Sequence, residues 1–135
     1  NGFANWMQTN EFIGNAKQEL NHIERYEQIN GKTPLSQYWK AKVLHDTGNL
    51  AGLRALWPHY AGPKNEEDLL WLARAHWLND DFTTALAILK QKARSNDDEF
   101  WGARVDMALR VNDKKEELYA LEQLKNIGEE NTRSY

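Results

Sequence analysis

The sequence predicts an all-α fold, and three observations carry that expectation. Apolar residues recur at spacings of three and four almost throughout the chain. No sustained alternation of β-branched and aromatic residues interrupts them. Capping residues, prolines and glycines stand where helices of ordinary length should begin and end. The chain has 135 residues, of which 41% are hydrophobic and six are Trp, so there is apolar material for one core or a short repeat array.

The first helix is expected from about Asn10 to Asn30, with Ile13, Ala16, Leu20 and Ile23 on one stripe and Gly31 placed for a left-handed C-cap. Thr33-Pro34 opens a second, with Thr capping and Pro in the first helical position, and it ends near His45 before Asp46-Thr47-Gly48-Asn49. A short third helix covers Leu50 to Trp57, because Pro58 lacks the N–H needed to continue it. Asn65 followed by Glu66, Glu67 and Asp68 starts a fourth, which runs to Leu78. Asn79-Asp80-Asp81 breaks it, and a fifth spans Phe82 to Ser95. Asn96 to Glu99 launches a sixth, to about Val111. Asp113 and Glu116 launch the last, whose Leu118, Leu121, Leu124 and Ile127 share a stripe and which stops at Gly128. Three segments follow from this: 1–33, an N-terminal stretch whose helix is either a cap or the second half of a preceding repeat; 34–128, the repeats described next; and 129–135, a disordered tail.

The second, fourth and sixth helices contain Tyr38-Trp39-Lys40-Ala41-Lys42-Val43, Leu70-Trp71-Leu72-Ala73-Arg74-Ala75 and Phe100-Trp101-Gly102-Ala103-Arg104-Val105. All three read apolar-Trp-x-Ala-Lys/Arg-apolar, with the Trp residues 32 and 30 positions apart, and each helix is followed by a turn and a second amphipathic helix. A helical hairpin is therefore written three times.

The arrangement resembles the tetratricopeptide-repeat superfamily, whose unit is about 34 residues of helix, turn and helix. In the middle unit Leu72-Ala73 stand at the family's Leu-Gly pair, Asp81-Phe82 at its turn, and Ala85-Leu86 at the Ala that lets two helices approach. Thr47-Gly48-Asn49-Leu50 fit the turn in the first unit, where Gly52-Leu53 replace the Ala. In the third unit only the first helix fits, because Val111-Asn112-Asp113-Lys114 reads as a turn with one residue too many, and the family's Pro after the second helix is missing throughout. The resemblance spans Pro34 to Ile127. It implies a right-handed α-solenoid of about three helix-turn-helix repeats plus an N-terminal helix, with the first helices lining a concave groove that takes extended peptides.

Functional classes narrow in the same way. With 17 Lys+Arg against 20 Asp+Glu the net charge is −3, which disfavours a broad grip on nucleic acid or an anionic membrane. The absence of Cys excludes disulfides, thiolate nucleophiles and Cys-ligated zinc. No apolar run approaches the ~20 residues of a membrane span, so no direct membrane insertion is expected, and a soluble cytoplasmic or periplasmic setting follows. The chain opens on Asn1 rather than Met, which reads as a piece of a processed or longer protein.

His22, His45, His59 and His76 have no metal-ligand spacing, and the acid pairs Glu66-Glu67, Asp80-Asp81, Asp97-Asp98 and Glu116-Glu117 fall at helix starts and turns, where acids cap. No catalytic motif is present, so no enzyme activity, cofactor or metal is expected.

The expected function is a protein–protein interaction module. In each repeat Trp and a cation stand at i and i+3, on one helix face. On the resemblance, the groove shows Tyr38, Lys42 and His45, then Glu67, Leu70, Arg74 and Trp77, then Phe100, Arg104 and Met107. That ladder of cations and aromatics suits an acidic or carboxylate-bearing partner segment. The Trp residues themselves read either as plugs between hairpins or as groove anchors, with cations passing them to solvent in the first case. Two other readings stand beside this one: a spacer or assembly scaffold from a larger bacterial envelope or secretion protein, and a carbohydrate-facing helical domain appended to an enzyme.

Overall fold

Thr33, Asn65 and Asp97 each cap a helix of 13 residues and follow one another at 32-residue intervals. In the computed structural model, which describes residues 2, 3, 6, 7, 15–92 and 96–133, the element order is α1 (Ala16–Asn30), α2 (Pro34–Asp46), α3 (Leu50–Leu56), a 3₁₀ turn (Trp57–His59), α4 (Glu66–Leu78), α5 (Phe82–Leu89), α6 (Asp98–Arg110) and α7 (Lys114–Arg133). The all-helical expectation holds among the described residues, with no strand. None of their helices is long and apolar enough to cross a membrane.

The caps are those the residue types favour. Asn15 accepts from the Gln18 N–H at 3.1 Å to start α1. The predicted first turn, from Asn10, lies outside the described residues. Thr33 and Ser36 exchange side-chain bonds to each other's backbone N–H, both at 3.1 Å. Ser36, which is fully buried, also donates to Glu27 Oε2 at 2.8 Å and so ties α2 to α1.

Four boundaries differ from expectation. The chain ends α3 at Leu56 and tightens to 3₁₀ around Pro58. It leaves α5 at Leu89 through short-range bonds from Gln91 and Lys92, and the predicted end at Ser95 falls outside the described residues. Asp97, not Asn96, caps α6, accepting from the Glu99 N–H at 3.0 Å. Finally, α7 does not stop at Gly128 but runs to Arg133, so residues 129–133 are helix rather than a disordered tail, while 134–135 lie outside the described residues. Gly128 does not enter the left-handed region that a C-cap needs, and inside a helix it costs only about 1 kcal/mol relative to Ala.

The turns α2–α3, α4–α5 and α6–α7 share one backbone course. Gly48 donates to His45 O and Asn49 to Leu44 O; Asp80 to Trp77 O and Asp81 to His76 O; Asn112 to Leu109 O and Asp113 to Ala108 O. The middle residue is left-handed each time, with φ of 77°, 61° and 59°. This is the Schellman stop, and its last residue doubles as the N-cap of the next helix. The third turn therefore carries no extra residue, contrary to expectation.

Apolar burial falls into two clusters. Phe3, Met7, Ile23, Trp39 and Val43 form one, and thirteen residues from Leu69 to Ala120, centred on Leu89, Phe100, Trp101 and Met107, form the other. Between them runs a polar seam. The Gln37 side chain donates to His59 O at 3.2 Å and accepts from the Ala61 N–H. Tyr60 donates to Ala75 O at 3.3 Å and accepts from Asn79 at 2.6 Å. Burial pushes the Tyr60 hydroxyl up to about 12, so it keeps its proton. Trp57 Nε1 lies 3.1 Å from His76 Nδ1 and 3.2 Å from Asp81 Oδ2.

Candidate binding groove

Two concavities lie along α2, α4 and α6. One, of about 600 Å³, is bordered by Tyr38, Trp39, Lys42, Leu70, Trp71 and Phe100, with Glu66, Glu67, Lys92 and Asp97 around its rim. The other, of about 460 Å³, is bordered by Trp77, Leu78, Gly102, Ala103, Asp106 and Met107. Both share Tyr38, Arg74 and Glu99, and the Arg74–Glu99 ion pair spans their boundary from α4 to α6.

Aromatic side chains from α2 and α4 line the floor. Tyr38 packs against Trp71 with ring centroids 5.1 Å apart, and the Arg74 guanidinium stands 5.5 Å from the Trp71 centroid. Trp77 meets Phe82 edge-on at 5.6 Å, and Arg110 reaches within 5.8 Å of its ring from the α6 side. Trp39 and Trp101 are 4% and 1% exposed, which makes them core plugs; Trp71 is half-buried and borders the groove. The Trp39 indole N–H has no hydrogen-bond partner among the described residues.

Of the expected groove residues, the structure brings together Tyr38, Lys42, Leu70, Arg74 and Trp77. Phe100 and Met107 border the concavities from within the core, 2% and 0% exposed, and so act as floor rather than as reachable anchors. His45 is exposed and lies outside both concavities; its Nδ1 sits 3.1 Å from Asp46 Oδ1.

Arg104 is the clear correction. It is 5% exposed, pairs with Glu116 of α7, and sits 4.8 Å and 5.3 Å from the Trp101 and Tyr119 ring centroids. The reason is phase. At the 32-residue interval of the caps and turns, the residue equivalent to Lys42 and Arg74 is Asp106. Arg104 comes two residues too early, which on a helix of 3.6 residues per turn is about 200° around the axis. The Trp101 motif matches the other two in residue type but faces the opposite side.

The groove therefore contains charged residues that the motif alignment did not identify: Glu66, Lys92, Asp97, Glu99 and Asp106. Its cations are matched internally. Lys42 pairs with Asp46 at 3.2 Å, Lys92 with Glu66 at 3.4 Å, and Arg74 with Glu99. Gly102 sits in the middle of α6, and a methyl group there would meet nothing within 4 Å. Among the described residues no group of three or more His, Asp or Glu is placed to hold a metal ion.

Family models, curated proteins and solved structures were all compared with the chain, and none of them matches it.

Proposed function

We propose that this chain is a non-catalytic protein–protein interaction module of the tetratricopeptide-repeat kind: a right-handed solenoid of three helical hairpins whose concave face holds an extended peptide. One observation carries the reading, the pair of adjoining concavities that shares Tyr38, Arg74 and Glu99 and draws its walls from the first helix of every hairpin. Together they open about 460 and 600 Å³, space for several consecutive side chains of an extended segment. Aromatic surface at Tyr38, Trp71 and Trp77 supplies anchoring area, and the charged rim supplies selectivity.

Selection from a display library of random linear peptides, followed by mapping of the bound peptide through amide chemical shifts, tests the reading. Shifts centred on Tyr38, Arg74, Glu99 and Gly102 are expected. Selected peptides that leave those amides unmoved, or a library that yields none, overturn it.

The scaffold reading is favoured by one feature of α7. Leu118 and Leu121 follow Leu86 and Leu89 at the same 32-residue interval, yet they are 57% and 42% exposed where the earlier pair is 4% and 0% exposed. In the second hairpin that face is covered by α6. A further helix from an assembly partner would cover it in the third. Light scattering of the chain beside a Leu118→Glu, Leu121→Glu variant separates the readings, since a scaffold that assembles through α7 loses mass and a groove binder does not.

A further inference from the structure

We propose that the groove selects a basic peptide: an extended segment in which an apolar side chain seats against Trp77 and Leu78 and a neighbouring Lys or Arg meets Asp106. This rests on the groove reading above and gives its ligand a charge.

The charge count points that way. Around the two concavities stand three cations, Lys42, Arg74 and Lys92, and five carboxylates, Glu66, Glu67, Asp97, Glu99 and Asp106. Each cation already has a carboxylate of this chain, in Asp46, Glu99 and Glu66 respectively. An incoming acid must displace one of these, exchanging one ion pair for another while adding negative charge to an acidic groove. An incoming cation breaks nothing. It finds Asp106 and Glu67, both exposed and in no ion pair among the described residues.

Geometry supports the same occupant. Asp106 stands at the register position that carries Lys42 and Arg74 in the earlier hairpins, so the sign of the inner face changes at its third step. Beside it Gly102 leaves open space in mid-helix, where alanine is intrinsically better and nothing in the chain would obstruct it. That space lies on the wall of the second concavity, where a ligand's backbone would pass.

The probes are two capped heptapeptides of identical length, in which Leu and Phe alternate with Lys in one and with Glu in the other, each titrated into isotope-labelled full chain at low salt. The Lys peptide is expected to shift the amides of Arg74, Glu99, Gly102 and Asp106. Its affinity should fall about threefold to fivefold in Asp106→Asn, as for one partly exposed ion pair, and fall further with added salt. If the Glu peptide moves those amides instead, the basic assignment is overturned while the groove reading stands. If neither peptide moves them, both fall. Binding of the Lys peptide that is indifferent to an Asp106→Asn, Glu67→Gln double variant overturns the charge pairing alone.

Discussion

Arg104 and Glu116 join α6 to α7 through an ion pair that is almost out of solvent, with side chains 6% and 13% exposed. Arg104 also lies over Trp101 and Tyr119 and donates to Lys92 O at 3.4 Å. Removing one partner strands the other without compensation. Arg104→Ala is expected to cost about 3–5 kcal/mol in urea unfolding, whereas the paired change Arg104→Met, Glu116→Leu should cost far less. Neither change should alter peptide binding, because Arg104 borders neither concavity. Equal costs for the single and double variants would contradict the stranded-charge account.

The left-handed turn residues make a second set of expectations. Gly48, at φ 77°, should cost about 1–2 kcal/mol when replaced by Ala, since an L side chain there crowds the following carbonyl. Asp80 and Asn112 occupy the equivalent place at φ 61° and 59°. Asp80→Gly and Asn112→Gly should therefore be neutral or slightly stabilising. Thermal melts of the three variants check the pattern, and a destabilised Asn112→Gly would show that its side chain has another role.

His76 gives the chain a pH dependence with a definite sign. Burial pushes its pKa below the ordinary 6.5, and Asp81 at 3.4 Å pulls it back only in part. The Trp57 N–H lies within hydrogen-bond reach of both His76 Nδ1 and Asp81 Oδ2, at 3.1 and 3.2 Å. The folded state thus binds a proton less readily than the unfolded one. The stabilisation is complete above pH 6.5 and is lost as pH falls through the folded value. His22, lowered by burial and by Arg25, acts in the same direction. Melting temperatures measured between pH 8 and pH 5 should fall more steeply in the native chain than in His76→Gln, which keeps an acceptor for Trp57.

Most of the helices were legible because local chemistry sets their ends. Thr33-Pro34, Asn65 and the three Schellman turns need only the residues beside them. At the third site position residue type and helical phase disagree. Phe100-Trp101 imitates Leu70-Trp71, but the caps Asn49, Asp81 and Asp113 already stood at one interval, and that interval assigns Asp106 to the groove and Arg104 to the α7 side. Glu66, Lys92 and Glu99 were beyond such reasoning, since their ion pairs join separate elements and depend on how closely α4 and α6 approach.

The polar bonds beside the two apolar clusters tie the linker between α3 and α4 to both of the helices it passes. Hydrogen bonds from Gln37, Tyr60 and Trp57 are directional and fail over a short displacement, while buried area is lost gradually as surfaces separate. Gln37 fixes that linker to α2, while Tyr60 and Trp57 fix it to α4, so the linker cannot shift without disturbing the two helices that hold Tyr38 against Trp71.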